Sequence, residues 1–529
     1  LSGGTEGFNE NGDAYAALVP DYQNTGSGYA AVSAPSSSSV SPLIKGAKWT
    51  NVGDDGSAAG GAANLSYSYY DTDDAPYNYV QGTRSTVESH GAGNAAAHDE
   101  IFALWDNVSP FSLDKVDEDS AGNTVGDLRV AFTDTGPAGA AAFAYYPNGG
   151  ASGGDIYYIN SAVDTISGVD FVEGNYNWLT ALHEVGHALG LSHPFDGGSK
   201  DGSTLNLNLD SQRNTVMTYV QRDRNYTLSY SGGSATVGQV HTSTPGLLDI
   251  EAIEYLYGST NWNYNSGNDT AYGGGSGSNL FDNNYQSIRT IVDSGGTGDT
   301  IDASRVTATG NIINLTPGTY SSINYYATQD DKINAVVTDG NQSIKNWFKS
   351  TLASLDALAS ASNSYYQTYT REALYRGQDN VGIAHNTWIE NAKGGTGADT
   401  ITGNSLGNEI TGNGGNDTID GGGGSDGAIY TDAKANYSIS SSYDGTVTVS
   451  HTGGAANEGT DTLKNMEYIK FSDGYYDIAT STWNNGGTVP GLTGTQSGAQ
   501  TGGATYGDGA TNIGGLALNA IKVQTQSDS

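Results

Sequence analysis

Cysteine is absent from all 529 residues. Disulfides and thiolate metal sites are therefore excluded, and so is any latch that holds an enzyme dormant through a cysteine on its metal. Basic residues are scarce: 21 Lys and Arg stand against 57 Asp and Glu, a formal net charge of -36. Nucleic acid and anionic membrane surfaces repel such a chain, so neither is expected as a partner. The acidity either keeps a secreted protein soluble or gathers divalent cations, since hard cations take carboxylate and carbonyl oxygens. No apolar run is long enough to cross a bilayer, and no membrane span is expected. The opening LSGGTEGFNENGD has neither a basic region nor an apolar stretch. A standard secretory leader is thus not expected here; it was removed, or export uses another route.

Glycine is plentiful, with 76 residues, about twice the usual share. Residues 1–44, rich in Gly, Ser and Ala, read as a flexible arm or the remnant of a pro-segment. The texture changes at Lys48, and 45–258 reads as one mixed domain. LSYSYYD (65–71), LRVAFTD (128–134) and GDIYYIN (154–160) are expected strands. In AAAHDEIFALWDNV (95–108) a helical face carries Ile101, Leu104, Trp105 and Val108. Helices are also expected over Asn177–Leu191 and over LLDIEAIEYLYG (247–258), each with a glycine at its stop. Residues 259–480 form a second, Gly/Asn/Asp-rich domain, and 481–529 a Gly/Thr/Ser-rich tail. Within the second domain, 341–376 carries Ile344, Trp347, Phe348, Leu352, Leu355 and Leu358 at helical spacing. This predicts an inserted helix or helical hairpin whose apolar stripe packs on the domain that hosts it.

Between 394 and 429 a nine-residue unit repeats as GGTGADTIT, GNSLGNEIT, GNGGNDTID and GGGGSDGAI. Its sixth position reads Asp399, Asn408, Asp417, Asp426, and its eighth Ile401, Ile410, Ile419, Ala428. A Gly-rich linker would share the composition, but it has no reason to keep acidic and apolar residues in phase. The period is that of a parallel β-roll that binds Ca²⁺. Its Gly-rich half turns tightly and presents carbonyls, here at Gly395, Gly397, Gly412 and Gly414, together with the sixth-position side chain. Its x-Ile-x half is a short strand with the apolar side chain inward. Two units make one coil, so Asp399 is expected beside Asp417 and Asn408 beside Asp426.

The segment LHEVGHALGLSH (182–193) carries the chemistry. Residues four apart share a helical face, so His183 and His187 can offer imidazoles to one ion. Glu184 projects toward the same region, as a general base for a water activated by the metal. Gly190 lets the chain leave the helix sharply and brings His193 round as a third nitrogen ligand. Three protein ligands and an open position describe a catalytic zinc site. A bare HExxH occurs by chance, but only 8 histidines exist in the chain and three stand here at the right spacing. NTVMTY (214–219) follows, with Met217 one of only two methionines. Alone, Met217 would read as core packing.

Zinc helix and methionine turn together follow the metzincin pattern, and the chain resembles the serralysin family over most of 48–430. The resemblance implies an α+β metzincin-like protease domain followed by an all-β parallel β-roll domain. It makes Met217 an apolar floor beneath one catalytic Zn²⁺ and Tyr219 a releasable fourth metal ligand. Ser266, Asn268 and Thr270, with Asp293 and Asp299, resemble the family's first structural Ca²⁺ sites; Glu390 resembles a glutamate ligand ahead of the repeats. GTDTLKNMEYIKFSDG (459–474) resembles a segment common after such repeats. The implied protein is a secreted, extracellular bacterial zinc endopeptidase acting on proteins or peptides, a monomer exported by type I secretion machinery. The chain ends VQTQSDS instead of the family's short apolar export tail, and the 341–376 insertion and the long arm are also departures.

The resemblance further implies that the 154–160 strand edges a cleft and pairs with a peptide. Zinc would polarise the scissile carbonyl, Glu184 would shuttle the proton, and Tyr219 would hydrogen-bond the oxyanion. Two other readings stand beside this one. A surface-layer or adhesin-type calcium-binding protein could keep a protease-like domain, although the intact Glu184 weighs against it. A lipase with the same repeats would need a G-x-S-x-G elbow between strand and helix, and none is found.

Overall fold

The computed structural model describes residues 28–33, 39–50, 65–70, 87–88, 92–118, 126–133, 136–137, 139–148, 153–159, 171–206, 209–219, 225–258, 269–274, 281–283, 285–293, 295–361, 373–487 and 489. The chain divides into two compact units. One takes in residues 1–222 and 241–264, with 503–529; the other takes in 223–240 and 265–502.

The first unit opens with strands β1 (Gly28–Ala31) and β2 (Ala47–Thr50), paired antiparallel. Its main sheet holds β3 (Leu65–Tyr69), β4 (Val87–Glu88), β5 (Leu113–Lys115), β6 (Leu128–Thr133), β7 (Ala142–Ala144) and β8 (Ile156–Ile159). The order is β5-β3-β6-β8-β7, with β4 beside β6. The β3–β5, β3–β6 and β6–β8 pairs are parallel, whereas β7 lies antiparallel to β8. On this side of the sheet the edge strand is therefore β7, and the 154–160 strand expected at the edge lies one place inside. Every residue of β7 and of β8 is buried, so it is the pairing and not the burial that puts β8 inside the sheet.

Helix α1 (Ala92–Asn107) buries Ile101, Phe102 and Trp105, while Leu104 of the expected face is only half-buried. Helix α2 (Tyr176–Ala188) starts where the Asn175 side chain accepts the Trp178 amide at 2.8 Å. Helix α3 (Leu247–Tyr257) closes the sequence segment. Trp105 ties the first two helices together by donating Nε1–H to the Leu182 carbonyl at 3.2 Å.

Residues 39–44, read as part of a flexible arm, are instead ordered. Val40, Leu43 and Ile44 are fully buried. The Ser192 amide donates to Leu43 O at 2.8 Å, Lys45 N to Gly190 O at 3.1 Å, and Lys200 N to Ile44 O at 2.7 Å. Three apolar residues after the serine run outweigh the average composition of the segment.

The second unit begins with a hairpin drawn from the middle of the first segment, β9 (Tyr226–Ser231) with β10 (Ser234–Gln239). It then winds through short strands: β11 (Ala271–Gly273), β12 (Arg289–Ile291), β13 (Thr300–Asp302), β14 (Ile312–Asn314), β15 (Tyr320–Ser321), β16 (Val381–Ile383), β17 (Asn391–Lys393), β18 (Thr400–Thr402), β19 (Glu409–Thr411), β20 (Thr418–Asp420) and β21 (Gly427–Ile429). The closing strands are β22 (Tyr437–Ser441), β23 (Val447–His451), β24 (Thr460–Lys464), β25 (Tyr468–Phe471), β26 (Gly474–Asp477) and β27 (Thr482–Asn485). One sheet runs β11-β13-β17-β19-β21-β25-β26-β27, parallel as far as β25. The other runs β14-β18-β20-β24-β23-β22, parallel as far as β24. From β13 to β21, the three-residue strands of these two sheets each turn one apolar side chain inward. Ile301, Ala392, Ile410, Ala428 and Ile469 from one sheet meet Ile313, Ile401, Ile419 and Leu463 from the other in a single core.

The inserted helices begin earlier than the sequence suggested. Helix α4 (Gln329–Val336) is capped by Thr328, whose hydroxyl accepts the Asp331 amide while Asp331 takes the Thr328 amide in return. Helix α5 (Gln342–Ala361) follows. Phe348 and Leu352 are fully buried, but Trp347 is 43% exposed, and the Leu358 side chain lies outside the described residues. The stripe does not pack on the parallel-strand core as expected. With Ile333 and Val337 it covers Leu228 of the β9–β10 hairpin and Leu374.

Candidate metal centre

Helix α2 ends in a Schellman motif: the Leu191 amide reaches back to Gly186 O at 2.9 Å and the Gly190 amide to His187 O at 2.9 Å. Gly190 sits at φ +103, and a Cβ there would come 2.5 Å from Ala47 O. The reversal carries His193 back toward the helix. The Nε2 of His193 lies 3.1 Å from His183 Nε2 and 3.1 Å from His187 Nε2. Among the described residues, these three side chains form a cluster whose ligand atoms all fall within 4.8 Å.

The other ring nitrogens decide what the cluster is for. His183 Nδ1 faces Val216 O at 2.8 Å, and His187 Nδ1 faces Leu191 O at 2.7 Å. A carbonyl can only accept, so these Nδ1 atoms carry the hydrogens. His193 Nδ1 faces the Asp196 carboxylate at 3.1 Å. All three Nε2 lone pairs are then aimed at one another, an arrangement that repels unless a cation lies between them. Tetrahedral Zn²⁺ at about 2.05 Å from each nitrogen would set them about 3.3 Å apart. Burial also lowers the pKa of His183 to about 3 and that of His187 well below its usual value, which keeps both rings neutral as ligands must be. The donor set fits zinc.

Tyr219 brings its hydroxyl to 3.0 Å from His193 Nε2, with its ring stacked on His183. Glu184 is buried on α2, one residue past His183. Met217 is fully buried, and a Cβ on Gly186 would come 2.5 Å from its Sδ, so it lies against the helix turn between the two histidines. The turn is clamped by carboxylates that the sequence reading missed. Asp249 accepts the Thr215 hydroxyl at 2.5 Å, the Val216 amide at 2.7 Å and the Gly246 amide at 2.7 Å. Asp210 accepts the Thr218 hydroxyl. Asp196 was missed likewise; a carboxylate three residues beyond the last histidine was the available signal. Edge strand β7 packs against α2, and Tyr146 just beyond it stands 5.2 Å edge-on to His187.

In the second unit the sixth-position residues stack as expected, 18 residues apart. Asp399 N donates to Asp417 Oδ1 at 2.8 Å and Asn408 N to Asp426 Oδ1 at 2.7 Å. The ladder continues into residues not foreseen, Asp417 N to Asp461 Oδ1 at 2.8 Å and Asp426 N to Glu467 Oε2 at 2.7 Å. It also starts earlier, with Thr270 N to Asp299 Oδ1 at 2.6 Å and Asp299 N to Glu390 Oε2 at 2.9 Å. Asp293 is buried and accepts Tyr272 OH at 2.6 Å, and Asp269 accepts the Thr297 amide at 2.9 Å. The first position of each repeat is glycine because a Cβ on Gly394, Gly403, Gly412 or Gly421 would come 2.2 to 2.6 Å from the sixth-position side chain. Gly395 donates its amide to Asp399 at 2.6 Å, while Gly397 and Gly414 lie in the turns close to Thr309 O and Asn457 O. The Oδ2 atoms of Asp299, Asp417 and Asp426 are buried without a hydrogen-bond partner. Ser266 and Asn268 lie outside the described residues.

A matrixin family model matches residues 71–221, a span that contains the histidine cluster and the methionine turn. The chain is 29% identical over 304 residues to a serralysin of Photorhabdus sp. (strain Az29), covering 55% of this chain and 58% of that protein. It is 32% identical over 248 residues to metalloprotease AprA of Pseudomonas entomophila (strain L48), 44% of this chain and 45% of that one. Serralysin A of Dickeya chrysanthemi is 36% identical over 135 residues, 26% of each chain. The chain spans a little over half the length of the first relative and less of the others. No described helix is long and apolar enough to cross a membrane. By its matrixin-type region, its convergent histidines and these relatives, the chain is similar to the serralysin-type metzincins.

Proposed function

We propose that the chain is a secreted zinc-dependent endopeptidase that hydrolyses extracellular proteins or peptides. One observation carries the reading: three imidazoles with Nδ1 spoken for and Nε2 converging within 3.1 Å contacts. His183, His187 and His193 would hold the metal, with Tyr219 as a fourth ligand that lets go. Bound zinc supplies Lewis-acid polarisation of the scissile carbonyl and of the attacking water. Glu184 takes the proton of that water and delivers it to the leaving amine. The Tyr219 hydroxyl donates to the oxyanion as it forms. A substrate backbone adds to the edge strand β7, so that the peptide runs past Tyr146 to the histidines. The carboxylate and tyrosine beside the histidines favour catalysis over an adhesive protein with an inherited fold.

We infer that the parallel-strand unit is a β-roll that holds structural Ca²⁺. The buried, unpartnered oxygens of Asp299, Asp417 and Asp426 support it, because a cation offsets the cost of such burial. Burial, reinforced by neighbouring carboxylates, raises Asp299 and Asp426 to about 7 and Asp417 to about 8. Asp461 and Glu467 extend the ligand ladder. A Ca²⁺-dependent fold outside the cell suits type I export of an unfolded monomer.

Metal analysis of the purified chain, paired with casein hydrolysis before and after a zinc chelator, tests the main reading. One zinc per chain and chelator-sensitive, zinc-restored cleavage are expected. Cleavage indifferent to the chelator, or a metal-loaded chain that cuts nothing, would refute it.

A further inference from the structure

We propose that Asp196 is the positioning carboxylate of the metal centre, fixing the tautomer and ring of His193 and thereby setting how tightly the metal is held. The inference rests on the reading of the three histidines as ligands. His183 and His187 are each steadied by a main-chain carbonyl, Val216 O and Leu191 O. Any residue supplies a carbonyl, so no substitution removes it. His193 differs. It lies beyond the helix, and its Nδ1 meets a side chain, the Asp196 carboxylate at 3.1 Å.

Asp196 is itself held. Its second oxygen accepts the Gly198 amide at 2.7 Å, and Lys45 Nζ donates to Gly198 O at 3.1 Å. The segment that carries Lys45 is bonded to the chain on both sides of Asp196, at Gly190 and Ser192 and at Lys200. The carboxylate is therefore held in place at both oxygens although its side chain is 43% exposed. His193 is also the hub of the site. Its Nε2 lies 3.1 Å from each of the other two and 3.0 Å from Tyr219 OH. A ring free to rotate at this position would disturb every contact at once. An anionic partner on Nδ1 also makes Nε2 a better donor to a metal than a carbonyl partner does.

The test compares the full chain with D196N and D196A by zinc competition against a chelating dye. Melting of the metal-free proteins serves as the fold control, and the visible spectrum of the Co²⁺-loaded forms as a readout of ligand geometry. D196A should bind zinc about 10- to 100-fold more weakly, with altered Co²⁺ bands and an unchanged metal-free melting temperature. D196N, whose amide oxygen still accepts but bears no charge, should fall between. Zinc affinity of D196A within twofold of the parent, or a loss that comes only with a lowered metal-free melting temperature, overturns the proposal. If the parent chain takes up no zinc, the histidine reading itself fails, and that outcome is distinct from either of these.

Discussion

Asp249 and His183 are joined through one residue. The Asp249 carboxylate takes the Val216 amide at 2.7 Å, and the Val216 carbonyl takes His183 Nδ1–H at 2.8 Å. A carboxylate on α3 thus orients one of the three clustered imidazoles on α2 through the methionine turn. Asp249→Ala would leave the Thr215 hydroxyl and the Val216 and Gly246 amides without their acceptor. A loss of about 3 kcal/mol is expected in denaturant titration. A loss below about 1 kcal/mol would show the clamp to be incidental. Burial raises Asp249 to about 7. Its contribution to stability therefore declines as pH rises from about 4 to 7 and is level above that.

Glu184→Ala should separate metal binding from turnover. The three imidazoles remain, so zinc stoichiometry should not change. Peptide hydrolysis should fall by about 10²- to 10⁴-fold. Turnover like that of the parent would remove Glu184 from the mechanism.

Tyr219→Phe should also keep zinc, because the three histidines suffice. Loss of the hydroxyl should reduce kcat by about 10²-fold with a smaller change in KM. An equal rise in KM with kcat intact would assign Tyr219 to substrate binding.

For the second unit the direction of pH dependence should depend on calcium. Burial raises Asp417 to about 8, Asp299, Asp426 and Glu390 to about 7, and Asp399 to about 6, all above their unfolded values near 4. The folded unit then binds more protons than the unfolded chain between about pH 4 and 8, so its stability falls across that window. Bound calcium would displace those protons, so the stabilisation it gives should grow as pH rises. Melting the chain at pH 5 and pH 8, with Ca²⁺ and with chelator, reads both slopes. A chelated protein whose melting temperature rises with pH would contradict the assignment.

Phe348→Ala tests the helical insertion. Phe348 is fully buried against Leu228, Ile333 and Leu374, and its removal should cost about 3–5 kcal/mol. The loss should be visible as a lower helical signal or an earlier local transition in circular dichroism.

The sequence made the metal centre legible because helical spacing and one glycine stop determine where three histidines go. The ladder of sixth-position residues was legible for the same reason, a strict period. Asp196, Asp210 and Asp249 were not, because a single carboxylate has no spacing to announce its partner. Asp461 and Glu467 escaped because β22 and β23 interrupt the repeat before the ladder resumes. The order of β7 and β8 was hidden too: sheet order depends on crossovers, while the alternation of side chains gives only the strand. Composition also misled at 39–44, where a serine run masked Val40, Leu43 and Ile44.

The β9–β10 hairpin belongs to the second unit although its residues precede α3 in the chain. No single cut can therefore release the two units intact. A fragment ending at residue 258 would keep the hairpin but lose α4 and α5, leaving Leu228, Tyr230 and Val237 without their cover. The complementary fragment would carry Phe348 and Leu352 with nothing to pack on. Neither half keeps its own packing complete, so one hydrolysed bond between residues 240 and 265 cannot part the chain into two self-sufficient pieces.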